Sequence, residues 1–101
     1  MDLDLQGKYA WVCGSTQGIG KACAQELAKM GATITLIARN EQALINVKND
    51  LNKSFNQKHN YIVADFSKPD ELRLKLQTQL SASHTPHILI NNTGEIGRAH
   101  V

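Results

Sequence analysis

From Lys8 to Asn91, short apolar clusters alternate with longer stretches in which apolar residues recur at helical spacing. That alternation predicts βαβ units around a parallel sheet. Tyr9 to Cys13 is a continuous apolar run, as expected of a central strand covered on both faces, and it leads straight into the glycines that begin at Gly14. From Gly18 to Met30, the residues Ile19, Ala22, Cys23, Leu27 and Met30 mark a helix, with Gly31 as its stop. Thr33 to Ala38 is β-branched and apolar, a second strand. Asn40 then caps a second helix whose Leu44, Val47 and Leu51 face inward.

Residues 52–59 are polar apart from Phe55 and read as a loop, before Tyr61 to Ala64 forms a third strand. Ser67 is expected to cap a third helix, with Pro69 early in it, Asp70 three positions after the cap, and Leu72, Leu76 and Leu80 as the buried row. That helix ends near Ser81; residues 81–86 form a turn, and His87 to Asn91 a fourth strand. Two right-handed crossovers to one side of the first strand and one back to the other give a strand order of 3-2-1-4, with helices on both faces. In such a sheet ligands bind off the carboxyl ends of the strands, where the order reverses. Both Gly14 to Gly20 and Asn91 to Gly94 fall there.

Composition narrows the class without naming a partner. The chain has 101 residues, 42% of them apolar, enough for one small domain. Its net charge of +2 is not gathered into a stripe, which argues against nucleic acid and against an anionic membrane surface. The opening Met1-Asp2-Leu3-Asp4 is acidic where a signal peptide would be basic, and no apolar run approaches the roughly 20 residues of a membrane span, so a cytoplasmic protein is expected. Cys13 and Cys23 lack a paired spacing and read as reduced packing residues. His84 and His87 are spaced H-x-x-H around Pro86 with no third ligand at a recognisable spacing, so no metal site is expected.

The chemistry concentrates at Gly14, Gly18 and Gly20, which form G-x-x-x-G-x-G between a strand and a helix. Such glycines allow a tight turn, a close backbone approach to a diphosphate, and helix-to-strand packing. The helix N-terminus behind them carries free N–H groups and partial positive charge, and Ser15 and Thr16 add hydroxyl donors. At the end of the second strand stands Ala38-Arg39, where an NAD-binding chain usually has a carboxylate for the ribose 2′-OH. Arg39 instead suits a 2′-phosphate. Asp65, just after the third strand, has no partner for a general-base dyad and is assigned to ligand binding.

Together, Cys-Gly-Ser-Thr-Gln-Gly-Ile-Gly at 13–20, Asp65, and Asn-Asn-Thr-Gly at 91–94 resemble the short-chain dehydrogenase/reductase family, over nearly the whole chain. The glycine spacing is similar to that of its compact single-domain members, such as the 3-oxoacyl-carrier-protein reductases, rather than the extended branch with G-x-x-G-x-x-G. The resemblance implies an α/β, partial Rossmann fold binding NADP(H) in preference to NAD(H). It implies that Thr16 and Ile19 contact the pyrophosphate, that Asp65 hydrogen-bonds the adenine amino group with Phe66 beside it, and that Asn91 and Asn92 line the adenosine ribose. The chain departs from the family at Cys13, usually Thr; at Thr93, usually Ala; and at Gln17, often basic.

The same resemblance implies a parent oxidoreductase, a homo-oligomer that moves a hydride between NADP(H) and a small carbonyl or alcohol. Its Ser, Tyr and Lys, with a supporting Asn, come later than this chain reaches. No Tyr-x-x-x-Lys occurs here: Tyr9 is followed at four by Cys13, and Tyr61 by Asp65. No catalytic residue is therefore expected within the chain, which alone is expected to be inactive. Glu95 to Val101 continues no pattern and does not resemble the family. A widely used sequencing-library adapter beginning AGATCGGAAGAGCACACGTCTGA, with one preceding G, translates as this same heptapeptide and a stop. Residues 1–94 are thus expected to be the native part, and 95–101 an adapter-derived tail. Two alternatives remain: a non-catalytic NADP(H)-binding or sensing module, and a truncated fragment whose fourth strand exposes Ile88, Leu89 and Ile90 on an unpaired edge.

Overall fold

The computed structural model describes residues 4–82 and 85–92. The elements run β1 (Tyr9–Cys13), α1 (Gly18–Lys29), β2 (Thr33–Ala38), α2 (Glu41–Asp50), β3 (Asn60–Val63), α3 (Pro69–Ala82) and β4 (Ile88–Asn91). The four strands form one parallel sheet in the order β3-β2-β1-β4, as expected. Alternation along β1 divides the core: Ala10 and Val12 join the cluster under α1 and α2, while Trp11 and Cys13 join Ile37, Ile62 and Ala64 beneath α3. Helices therefore cover both faces.

In α2 the inward row is the expected one, with Leu44, Val47 and Leu51 buried and Asn40 Oδ1 accepting the Ala43 N–H at 3.0 Å. Truncating fully buried Leu44 to Ala would cost about 2–5 kcal/mol. In α1 the expected face is corrected. The buried row is Gly20, Ala24 and Ala28, with Leu27 only partly buried and Ile19 72% exposed. Small residues four apart make a flat seam on which the helix lies close to the sheet, and the larger side chains flank it.

Three further expectations shift. Leu72 and Leu76 pack on the lower cluster, but Leu80 is exposed. β3 and β4 are Asn60–Val63 and Ile88–Asn91, one residue displaced from Tyr61–Ala64 and one shorter than His87–Asn91. Ser67 does not cap α3; its hydroxyl turns back to Asp65. On β4, Ile88 and Ile90 pack against the upper cluster, while Leu89 stands out in solvent with Asn91. His84, Thr93, Gly94 and 95–101 lie outside the described residues.

The polar segment 52–59 is a strap rather than a loose loop. Gln57 is buried, and its amide donates to the carbonyls of Ala28 and Ala32 at 2.8 and 2.7 Å, tying it to the end of α1. His59 is buried just before β3, and its Nδ1 accepts the Ile34 N–H at 3.0 Å. Nδ1 is therefore unprotonated, and Nε2 donates to the Asn52 carbonyl at 2.7 Å. The other outer strand begins in the same way, with His87 Nδ1 accepting the Tyr9 N–H at 3.0 Å. Each outer strand is thus fastened to its inner neighbour by an imidazole.

Burial, with the ammonium groups of Lys53 and Lys48, holds His59 below the usual imidazole value of 6.5, against the opposing pull of the Asn52 carbonyl. A depressed folded-state value means that the stabilisation is present above pH 6.5 and is lost as the pH falls through the folded value. Denaturant titrations at pH values from about 8 down to about 5 should show stability falling only in the acid range. His59→Ala should cost about 1–3 kcal/mol at neutral pH and flatten the acid slope. A variant with an unchanged slope contradicts this account of His59.

Candidate functional site

The turn after β1 is shaped by what it excludes. Gly14 has φ 68° and donates its N–H to Ile37 O at 2.8 Å; Gly18 has φ 62°. Both angles lie in the left-handed region that favours glycine. At Gly20 the reason is contact, because a Cβ there would collide with the Gly14 carbonyl oxygen and lie 3.1 Å from Asn92 Nδ2. The three glycines thus seat the start of α1 directly behind the end of β1.

That helix start has no side-chain cap. The residue before it, Gln17, is extended (φ −159°) and makes no side-chain cap, and the first turn contains no acid. Its N–H groups have no intrahelical partners and carry the positive end of the helix dipole. Ser15 is fully buried in the turn, and among the described residues its Oγ has no hydrogen-bond partner. Thr16 is half-buried. The Ile19 side chain points into solvent, which leaves only its backbone facing the turn.

The neighbouring strand ends complete the rim. Arg39 follows β2 and is exposed; Asn91 ends β4 opposite Cys13, and the Asn92 N–H donates to Cys13 O at 3.0 Å. After β3, Asp65 Oδ1 accepts the Ser67 N–H at 2.9 Å and the Ser67 hydroxyl at 2.7 Å. These two bonds hold the Asp65 carboxyl below the usual carboxylate value, with help from the charges of Arg39 and Lys68. Phe66 is half-buried against the Trp11 and Ile62 cluster, so part of its ring serves the core. Burial pushes the Cys13 thiol up to about 11, which keeps it protonated and a poor nucleophile.

All the residues expected at the site therefore lie on one carboxyl edge of the sheet. Sequence reasoning missed Ser67 as a partner of Asp65 and Lys68 as a nearby charge; the Asp-x-Ser spacing was the available signal. A separate hollow of about 370 Å³, lined by Tyr9, Trp11, Thr33, Thr35, Asn56, Lys58 and Asn60, includes none of the site residues.

A parallel sheet whose first turn seats glycines against an uncapped helix N-terminus defines a Rossmann-type unit. The chain belongs to the short chain dehydrogenase family, whose model matches residues 8–101. It is 43% identical over 88 residues to human inactive hydroxysteroid dehydrogenase-like protein 1, covering 87% of this chain and 26% of that protein. To the very-long-chain 3-oxoacyl-CoA reductase of Mus musculus it is also 43% identical, covering 87% and 28%. The L-sorbose reductase of Gluconobacter frateurii, solved with NADPH and L-sorbose, superposes with a TM-score of 0.83 at 31% identity, covering all of this chain and 38% of that one. The chain thus spans about a quarter of the length of the curated relatives it matches.

The glycines differ in what an added methyl would meet. Gly20→Ala forces α1 away from the turn and should lower the melting temperature sharply, with a loss of several kcal/mol on the order of an overpacked core. Gly18→Ala meets open space and bears only the cost of its positive φ, about 1–2 kcal/mol. Equal losses in thermal melts of the two variants would contradict the close-approach account.

Proposed function

We propose that this chain supplies the NADP(H)-binding N-terminal part of an oxidoreductase that moves a hydride between the cofactor and a small carbonyl or alcohol. The observation that carries this reading is the uncapped start of α1 behind Gly14, Gly18 and Gly20, with Arg39 at the end of the adjacent strand. The names of the mouse reductase and of the NADPH-bound sorbose reductase support it.

In this reading the α1 N–H groups, including that of Ile19, take the pyrophosphate, with Ser15 and Thr16 adding hydroxyl donors. The Ser15 oxygen, unpartnered among the described residues, suits such a role. Arg39 binds the 2′-phosphate, Asp65 accepts from the adenine amino group with Phe66 beside it, and Asn91 and Asn92 line the ribose. The nicotinamide supplies the hydride-carrying carbon, while this chain's residues bind and orient. No residue of the chain is assigned to catalysis, and the chain alone is inactive. Residues 95–101 are adapter-derived, and the parent is a cytoplasmic homo-oligomer. No helix among the described residues is long and apolar enough to cross a membrane.

A non-catalytic NADP(H)-binding module is the second reading. It is favoured by the human relative, which is named inactive and matches this stretch as well as the mouse reductase does. Both readings share the cofactor assignment, which titration of the reduced dinucleotides tests. Arg39→Ala should weaken NADPH binding about tenfold or more while leaving NADH nearly unchanged, since a charge-assisted phosphate contact is lost. An equal effect on both dinucleotides would sink the 2′-phosphate assignment.

A further inference from the structure

We infer that Ser67 is a positioning residue for base recognition, holding Asp65 so that one carboxylate oxygen faces the base as a pure acceptor and selects a 6-amino purine over a 6-oxo purine. The inference rests on the reading of Asp65 as the adenine contact. Its basis is that both donors of Ser67, the backbone N–H at 2.9 Å and the hydroxyl at 2.7 Å, converge on the same oxygen, Oδ1. Among the described residues no other donor reaches the carboxylate, so Oδ2 keeps its lone pairs for a ligand.

Ser67 has an alternative task, capping α3, and does not perform it. Helix α3 begins at Pro69, and the Leu72 N–H closes on Lys68 O. The Ser67 hydroxyl points backward along the chain instead, which costs the helix a cap and fixes an acid two residues earlier. An ionised carboxylate only accepts hydrogen bonds. The exocyclic amino group of adenine donates to it, whereas the oxygen at the same position of hypoxanthine presents lone pairs and is repelled. The Ser67 bonds also favour the ionised form, so the acceptor persists into mildly acid solution.

The test uses the full chain as wild type, Ser67→Ala, Ser67→Thr and Asp65→Asn, each titrated with NADPH and with its 6-oxo analogue, reduced nicotinamide hypoxanthine dinucleotide phosphate. The wild type should prefer NADPH by about tenfold or more, as expected of one charge-assisted bond. Ser67→Ala should lose most of that preference, through weaker NADPH binding and an affinity for the 6-oxo analogue no lower than that of the wild type, with its melting temperature unchanged. Its NADPH binding should also weaken at a higher pH than that of the wild type. Ser67→Thr should retain the preference, and Asp65→Asn, which can donate as well as accept, should abolish it. A discriminating wild type whose Ser67→Ala variant discriminates equally well overturns the inference alone. A wild type that binds both dinucleotides equally, with Asp65→Asn unchanged, overturns the adenine reading of Asp65 and the inference with it.

Discussion

Helix α1 meets the end of β1 so closely that a single carbon added at residue 20 would strike the carbonyl of Gly14. Everything at the site depends on that approach. It requires the small-residue seam of Gly20, Ala24 and Ala28 and the left-handed turn at Gly14. It also brings Asn92, at the end of β4, alongside the start of the helix. With no side chain capping the helix, the donors of its first turn face the crevice where the strand order reverses. The scaffold thus delivers a positively polarised, close-fitting turn of the kind that suits an anion.

Much of the fold was legible because its signals are local. The continuous apolar run at Tyr9 to Cys13, the β-branched run at Thr33 to Ala38, the Asn40 cap and the row Leu44, Val47, Leu51 each report their own element. The face of α1 was misread because hydrophobicity ranks Ile19 above Ala24, while the seam is set by size: close approach to a sheet favours the residue that is absent over the one that is oily. Gln57 and His59 were hidden for a different reason. Their burial is stabilised by carbonyls and an N–H from α1, β2 and the strap itself, partners that no linear pattern displays. At the site, the glycine spacing and Asp65 could be read directly, but the turn of Ser67 back toward Asp65 could not be told from a helix cap.

The two curated relatives frame what this portion of the fold can specify. One is named a reductase and the other inactive, yet each shares 43% identity with the same stretch. A cofactor cradle is compatible with either outcome, since function resides in sites placed on the fold and the reacting groups need not lie in the cradle. Arg39 and Asp65, the residues proposed to choose the dinucleotide, stand at neighbouring strand ends.

The measurement that tests the central claim most directly is an adapter-free read of the source locus, amplified from within the Gly14 to Gly94 coding region and extended downstream. The account predicts that the frame continues past Gly94 into a Ser and a Tyr-x-x-x-Lys, making this chain the cofactor-binding part of an oxidoreductase. A genomic Glu95 to Val101 followed by a stop would contradict it and leave a binding module without catalytic residues.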